Sequence, residues 1–194
     1  MKAIFPTNLS TDAIELQSDD PVVFGRFIKK YQKLVFSLLG RMGFSQAEAE
    51  DLAQDTFLRA WQHRKSYQPD RAKISTWLCT IARNLALNEL DRQSRRPAGS
   101  DEKTDSIIAT DSAVCPQYQT ALHQDTEQLN RILNTLNADE RSAIALHYAE
   151  ELSARDAAQV MGCSTGAFRT RLSRARKKLQ ALWKSKTDSG YSSS

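Results

Sequence analysis

The chain has 194 residues, of which 40% are hydrophobic and 26% are charged, and its formal net charge is +4. A chain of this length can form one or two compact domains, and no apolar run is long enough to cross a bilayer. The amino terminus lacks the pattern of a secretion signal, so we expect a cytoplasmic protein without membrane insertion.

The sequence carries no recognisable catalytic or metal-binding motif. Its three cysteines, Cys79, Cys115 and Cys163, are far apart and include no Cys-x-x-Cys pair, which disfavours a disulfide framework and a zinc ribbon. The three histidines are equally scattered, and no phosphate loop, nucleophile elbow or paired-carboxylate motif is found. We therefore expect no cofactor, no metal ion and no catalysis by this chain alone.

Three amphipathic helices are predicted in the first half of the chain. The first spans residues 20–43, because it opens with an aspartate cap and a proline and closes at a glycine. The second opens at Ser45–Glu48, which has the pattern of a capping box, and its exposed amino-terminal half is acidic. The third runs from about residue 75 to residue 91, and we expect residues 1–19 to be disordered.

Residues 97–126 differ in composition from the helical segments. They contain two prolines, many small polar residues, and five acids against one lysine, which favours a flexible acidic linker. No strand-like alternation or repeat stands out. We therefore predict an all-α chain with two small helical domains, at 20–96 and 127–186, followed by a disordered tail at 187–194.

The segment from residue 152 to residue 182 predicts two short helices joined by a tight turn. Ser153 can cap the first helix, Gly162 suits the left-handed exit, and Ser164 can cap the second helix. The second helix has one apolar stripe, which consists of Phe168, Leu172, Ala175, Leu179 and Leu182. This arrangement is typical of a helix-turn-helix, whose second helix enters the major groove of DNA.

Charge supports this interpretation. Residues 152–186 hold nine lysines or arginines and one acid, Asp156, which gives a local balance of +8. A solvated basic helix that binds nothing would have a similar charge, but the capped helix, the glycine turn and the continuous stripe favour DNA binding. Gly166, near the start of the second helix, allows a phosphate backbone to approach closely.

The chain resembles the sigma-70 family, and within it the small two-domain extracytoplasmic-function (ECF) sigma factors of bacterial RNA polymerase. The resemblance lies in AEDLAQDTFLRAWQ at residues 49–62 and in STWLCTIARNLALNELDRQSRR at residues 75–96. It continues in the segment from residue 136 to residue 179. The resemblance implies a sigma-2-like domain, a linker and a sigma-4-like helix-turn-helix domain, with core RNA polymerase and promoter DNA as partners.

The resemblance also implies a role for three sets of residues. The second helix would dock on core polymerase through Asp51, Gln54, Asp55, Arg59 and Trp61. The third helix would bind the -10 element through Arg83, Asn84, Asn88, Arg92, Gln93, Ser94, Arg95 and Arg96. The helix-turn-helix would bind the -35 element through Ser164, Gly166, Arg169, Thr170, Arg171, Ser173, Arg174 and Lys177.

The chemistry of these sets agrees with the implied roles. An acidic helical face suits a basic partner, although it is also what an ordinary solvated face looks like. Asparagine can hydrogen-bond an extruded base, arginine can read guanine, and lysine suits phosphate. The family is commonly held by an anti-sigma factor, so we expect such a partner as well.

A second interpretation remains open from the sequence. The chain could be a self-sufficient, dimeric helix-turn-helix regulator whose residues 20–96 form a sensor or dimerisation module. Such a regulator would bind duplex DNA alone, as a symmetric dimer on paired half-sites. A sigma factor would instead show little specificity until polymerase is present.

Overall fold

The computed structural model describes residues 10–95, 133, 135–149 and 152–190, and for residues 184–190 it describes the backbone alone. Every regular element in these residues is a helix, which confirms the predicted all-α fold. A single 3-10 turn, Arg64–Ser66, follows the third helix. In chain order the α-helices are α1 Thr11–Gln17, α2 Pro21–Arg41, α3 Gln46–His63, α4 Ile74–Ser94, α5 Ala138–His147, α6 Ala154–Val160 and α7 Thr165–Gly190.

Local capping explains where several of these helices begin. The Asp20 carboxylate accepts a hydrogen bond from the Val22 amide at 2.8 Å, and proline follows the cap directly. Ser45 and Glu48 form the predicted capping box, in which the Ser45 amide donates to the Glu48 carboxylate at 2.8 Å. Each box satisfies backbone donors that the first helical turn leaves unpaired. Two further boxes open α5, at Asn137 and Glu140, and α6, at Ser153 and Asp156.

The amino-terminal unit is built from α2, α3 and α4, which pack against one another in pairs. Their apolar stripes meet in a core that includes Phe27, Leu38, Ala60 and Leu78, all fully buried. Full burial of each large apolar side chain in such a core contributes about 1.5–3 kcal/mol. This core holds the outer faces of α3 and α4 in fixed orientations.

Two predictions of disorder are wrong in part. Residues 11–17 lie in the segment predicted to be disordered, yet they form α1, and its Ala13 and Leu16 are fully buried against the amino-terminal unit. A helix this short is stable only because it packs on α2. At the other end, α7 continues to Gly190, so residues 187–190 of the predicted tail are helical. The predicted linker, 97–126, lies outside the described residues.

The carboxy-terminal unit consists of α5, α6 and α7, and the last two form the predicted helix-turn-helix. Phe168, Leu172 and Ala175 of α7 are buried against α5 and α6, as the apolar stripe predicts. Between α6 and α7 the backbone turns at Gly162, whose φ is +61°. The predicted left-handed exit is therefore confirmed.

The two units lie against each other, with α2 packed on α5 and α4 packed on α6. Side chains of the second unit donate hydrogen bonds to backbone carbonyls of the first. The Gln159 amide reaches the Arg71 carbonyl at 2.9 Å, and the Arg141 guanidinium reaches the Met42 carbonyl at 3.4 Å. The described residues thus form one joined body with a partly polar seam.

We predict that Gly162→Ala lowers the free energy of unfolding by about 1–2 kcal/mol, because a side chain opposes the left-handed conformation. Gly166→Ala is the matched control. A Cβ atom at Gly166 would meet only the Ser164 hydroxyl, at 3.9 Å, and alanine favours the helix by up to about 1 kcal/mol. Urea denaturation followed by circular dichroism measures both effects. Equal stability of the two variants would contradict this account of the turn.

Candidate functional site

The exposed face of α7 lies opposite its buried stripe. Arg169, Thr170, Ser173, Arg174 and Lys177 are all exposed, and Arg171 is half-buried. The α7 helix therefore presents cationic and hydroxyl groups in one direction, and its apolar groups anchor it from behind. This is the surface that a recognition helix needs in order to contact base edges and phosphates.

The start of α7 is fixed by hydrogen bonds within the turn. The Ser164 hydroxyl accepts from the Ala167 amide at 3.2 Å, so this predicted site residue acts as the helix cap. The Thr170 hydroxyl donates to the Gly166 carbonyl at 3.0 Å. Gly166 itself is exposed and has open space around it, which leaves room for a close backbone approach.

Two charged groups behind α7 strengthen its attachment to α5. The Lys178 ammonium contacts the Glu140 carboxylate at 2.7 Å, and this contact holds the pKa of Glu140 below its ordinary value. Burial opposes the shift but does not reverse it. Since Glu140 also closes the capping box of α5, one carboxylate fixes the start of α5 and the rotation of α7.

The predicted residues of α4 fall into free and paired groups. Asn84 and Asn88 are exposed on the same side of the helix, where they can bind a ligand. Arg92 instead donates to both oxygens of Glu89, at 2.6 and 2.7 Å. Arg95 forms an ion pair with Asp91 one turn earlier in α4.

The remaining predicted residues near the end of α4 also have internal partners. The Gln93 amide donates to Glu48 of α3 at 2.7 Å and to Glu89 at 3.0 Å. The Ser94 hydroxyl donates to the Asp91 carbonyl at 2.8 Å. Arg96 lies outside the described residues.

Arg83 belongs to the set that the resemblance implies for the -10 element, but it is buried. Instead of facing solvent beside Asn84, its side chain is only 9% exposed and contacts Asp139 of α5 at 2.7 Å. Burial lowers the pKa of the Arg83 guanidinium, and the Asp139 carboxylate partly offsets that effect. In this arrangement of the two units Arg83 belongs to their seam and not to an open surface.

The predicted acidic face of α3 is open. Asp51, Gln54, Asp55 and Arg59 are all exposed on one side of the helix. Trp61 is half-buried, and the Arg64 guanidinium lies over its ring at 3.8 Å from the ring centre. The indole edge also packs on Phe24, so Trp61 offers only part of its surface to a partner.

Sequence reasoning missed an apolar groove that borders this acidic face. The groove lies between α2 and α3, and its wall includes Leu58, which is 54% exposed, and Phe36, which is 37% exposed. The signal was present in the sequence, since Leu58 interrupts an otherwise polar face of α3. An acidic rim beside an apolar groove can hold a partner helix that is both basic and amphipathic.

None of the helices in the described part of the chain is both long and apolar enough to cross a membrane. In the same part, no grouping of histidine, cysteine, aspartate and glutamate side chains has the arrangement of a metal site.

Family models match both units of the chain. The model for sigma-70 region 2 matches residues 27–96, and the model for sigma-70 region 4 matches residues 126–179. These two segments include the acidic helix α3, the polar end of α4 and the helix-turn-helix.

Curated relatives agree with the family models. The ECF RNA polymerase sigma factor SigM of Bacillus subtilis is 31% identical over 79% of this chain and 90% of its own length. The ECF RNA polymerase sigma-E factor of Haemophilus influenzae is 32% identical over 85% of this chain and 89% of its own length. Both relatives are sigma factors, which supports that interpretation over a self-sufficient regulator.

Solved structures show the same architecture. The structure of CnrH in complex with the cytosolic domain of CnrY matches with a TM-score of 0.68 and 24% identity, over 90% of this chain and 96% of that one. The sigma factor RpoE of Bartonella quintana, in complex with the anti-sigma factor NepR, matches with a TM-score of 0.62 and 29% identity. This match covers 82% of this chain and 97% of that one. The chain therefore belongs to the sigma-70 family and is an ECF-type RNA polymerase sigma factor.

Proposed function

We propose that this chain directs core RNA polymerase to promoters by using its amino-terminal unit for the polymerase and the -10 element and its carboxy-terminal unit for the -35 element. The observation that carries the proposal is the amphipathic α7, whose apolar stripe is buried and whose cationic face is open. The first domain comprises residues 20–96, and α1 packs against it. The second domain comprises residues 127–186, and residues 97–126 connect the two.

Polymerase docking is assigned to the outer face of α3. Its exposed carboxylates, Asp51 and Asp55, complement a basic partner, and the groove beside Leu58 accepts apolar side chains. Arg59 and Gln54 add hydrogen-bonding groups on the same face. A mixed surface of this kind gains affinity from apolar burial and orientation from charge.

The -10 contact is assigned to the exposed side of α4. Asn84 and Asn88 can each donate to and accept from the edge of an extruded base. Arg92 and Arg95 can bind the flanking phosphates once they exchange their carboxylate partners for DNA. Gln93 and Ser94 keep the end of the helix in place through their internal hydrogen bonds.

The -35 contact is assigned to α7. Arg169, Arg171 and Arg174 are assigned to base edges, and a bidentate arginine to guanine contact gives about 1–3 kcal/mol of discrimination. Lys177 is assigned to phosphate, which supplies affinity without sequence information. Ser164, Gly166, Thr170 and Ser173 bring the backbone and small hydroxyl groups close to the DNA.

Regulation is assigned to an anti-sigma partner. The relative of known structure from Bartonella quintana is bound to an anti-sigma factor, and it shares 29% identity with this chain. Such a partner would cover the polymerase face of α3 or the DNA face of α7. The chain itself has no catalytic role in this scheme, in keeping with its family, and acts in the cytoplasm.

The direct test mixes the purified full-length chain with core RNA polymerase and follows co-elution and transcription from a promoter library. We expect a stable complex and transcripts that depend on the chain. Failure to bind polymerase, together with unaided binding to a palindromic DNA site, would instead support a dimeric regulator.

We predict that Asp51→Lys and Asp55→Lys together weaken core polymerase binding about tenfold, because they replace attraction with repulsion at a basic partner. Asp51→Lys and Asp55→Lys are also measured singly, and Asp70→Lys, which makes the same change of charge, is the control for each of them. It lies in the exposed loop before α4 and outside the docking face. Titration of labelled chain with core polymerase gives the dissociation constants. An equal loss in the control would contradict docking through α3.

Two neighbouring cations of α7 should behave differently when each is replaced by alanine. Arg174→Ala should weaken the binding free energy for the preferred sequence by about 1–3 kcal/mol and relax the base preference at one position of the -35 element. Lys177→Ala should weaken binding uniformly across sequences and reduce the salt slope by about one unit. Selection from a promoter pool with a randomised -35 element, performed with the holoenzyme, measures both. Identical sequence profiles for the two variants would contradict the assigned roles.

A further inference from the structure

A single carboxylate, that of Asp139, joins the two candidate DNA surfaces. One of its oxygens contacts Arg83 of α4 at 2.7 Å, and the other contacts Arg171 of α7 at 3.9 Å. Asp139 lies in the first turn of α5, at the seam between the units. Arg171 is assigned above to the -35 contact, and Arg83 belongs to the set that the family resemblance implies for the -10 element.

The Arg83 side of this cluster is removed from water. The guanidinium is 9% exposed, and its Nε is buried without a hydrogen-bond partner among the described residues. A buried cation that loses its counter-charge strongly destabilises the arrangement that buries it. Asp139 therefore contributes more to the contact between α4 and α5 than an exposed ion pair with the same N–O distance would contribute.

A second ion pair across the seam, between Lys73 and Asp156, is different in kind. Lys73 contacts Asp156 at 3.2 Å, and its side chain is 66% exposed. Exposed pairs of this type contribute little, because water screens them and long side chains lose entropy. Lys73 also belongs to neither DNA set, so it serves as an internal comparison for the Asp139 cluster.

Carboxylate and phosphate are interchangeable partners for arginine, because both offer two oxygens to its planar fork. We propose that Asp139 acts as an intramolecular latch that stands in for a DNA phosphate on Arg83 and Arg171 and holds the free chain in a closed, weakly DNA-binding state. This inference rests on the proposed promoter contacts. Opening of the seam exposes Arg83 beside Asn84. Arg171 stays in the same unit as Asp139, and it binds DNA by exchanging that carboxylate for a phosphate.

The test compares the radius of gyration of the full chain by small-angle X-ray scattering for the wild type and four variants. Asp139→Asn and Arg83→Gln change the net charge in opposite directions but break the same contact. We expect both variants to expand by several ångström, because the units then lose the contact that holds them together. Asp70→Asn, which matches the charge change of Asp139→Asn, and Lys73→Gln should stay as compact as the wild type.

Three results would overturn the latch. The first is a wild type whose radius of gyration is already as large as that of the latch variants. The others are expansion in only one of Asp139→Asn and Arg83→Gln, and an equal expansion in Lys73→Gln. Circular dichroism confirms that helical content is retained. Asp139 is 49% exposed, so its substitution by asparagine does not threaten the core.

DNA binding by the free chain tests the consequence of opening. Asp139→Asn should lower the dissociation constant for a promoter fragment at least threefold relative to Asp70→Asn, which removes the same charge. An equal effect of the two variants would overturn the role of the latch in DNA binding. Transcription by the wild-type chain with core polymerase is measured in parallel. Its absence would refute the proposed function, whereas the scattering result would still decide whether the latch exists.

Discussion

Three capping boxes constrain this fold more than any other local feature, because each acid that caps a helix also holds a second element. Glu48 opens α3 and binds Gln93 of α4, and Glu140 opens α5 and binds Lys178 of α7. Asp156 opens α6 and contacts Lys73 across the seam. In α3 and α5, the acid that closes the box therefore also links its helix to a neighbouring one, whereas the exposed pair of Asp156 with Lys73 contributes little.

This coupling explains how a small chain can present two separate binding faces. If a helix slipped by one residue in its packing position, its faces would turn by about 100°, and its apolar stripe would leave the core. The boxes fix the start of α3 and α5, and the Ser164 cap fixes the start of α7. The acidic face of α3 and the cationic face of α7 then point outward because the opposite faces are already committed to packing.

Sequence reasoning predicted what depends on near neighbours along the chain. The box at Ser45, the cap at Ser153, the turn at Gly162 and the stripe around Phe168 are all confirmed. Arg83 was misplaced because its partner, Asp139, is 56 residues away, and helical periodicity carries no information about such a contact. The short helix α1 was missed for a similar reason, since its stability comes from packing on α2. The residue roles in polymerase and promoter binding remain predictions.

The paired arginines at the end of α4 have a consequence for non-specific contact with nucleic acid. Arg92 is clasped by Glu89, and Arg95 is paired with Asp91. Ribosomal and messenger RNA offer phosphates everywhere, and casual encounters with them are favoured by positive charge alone. Exposed carboxylate pairs of this kind are weak, so they reduce such encounters without abolishing them. In the proposed -10 contact, a strand that also engages Asn84 and Asn88 would gain more than bulk RNA does from displacing these carboxylates.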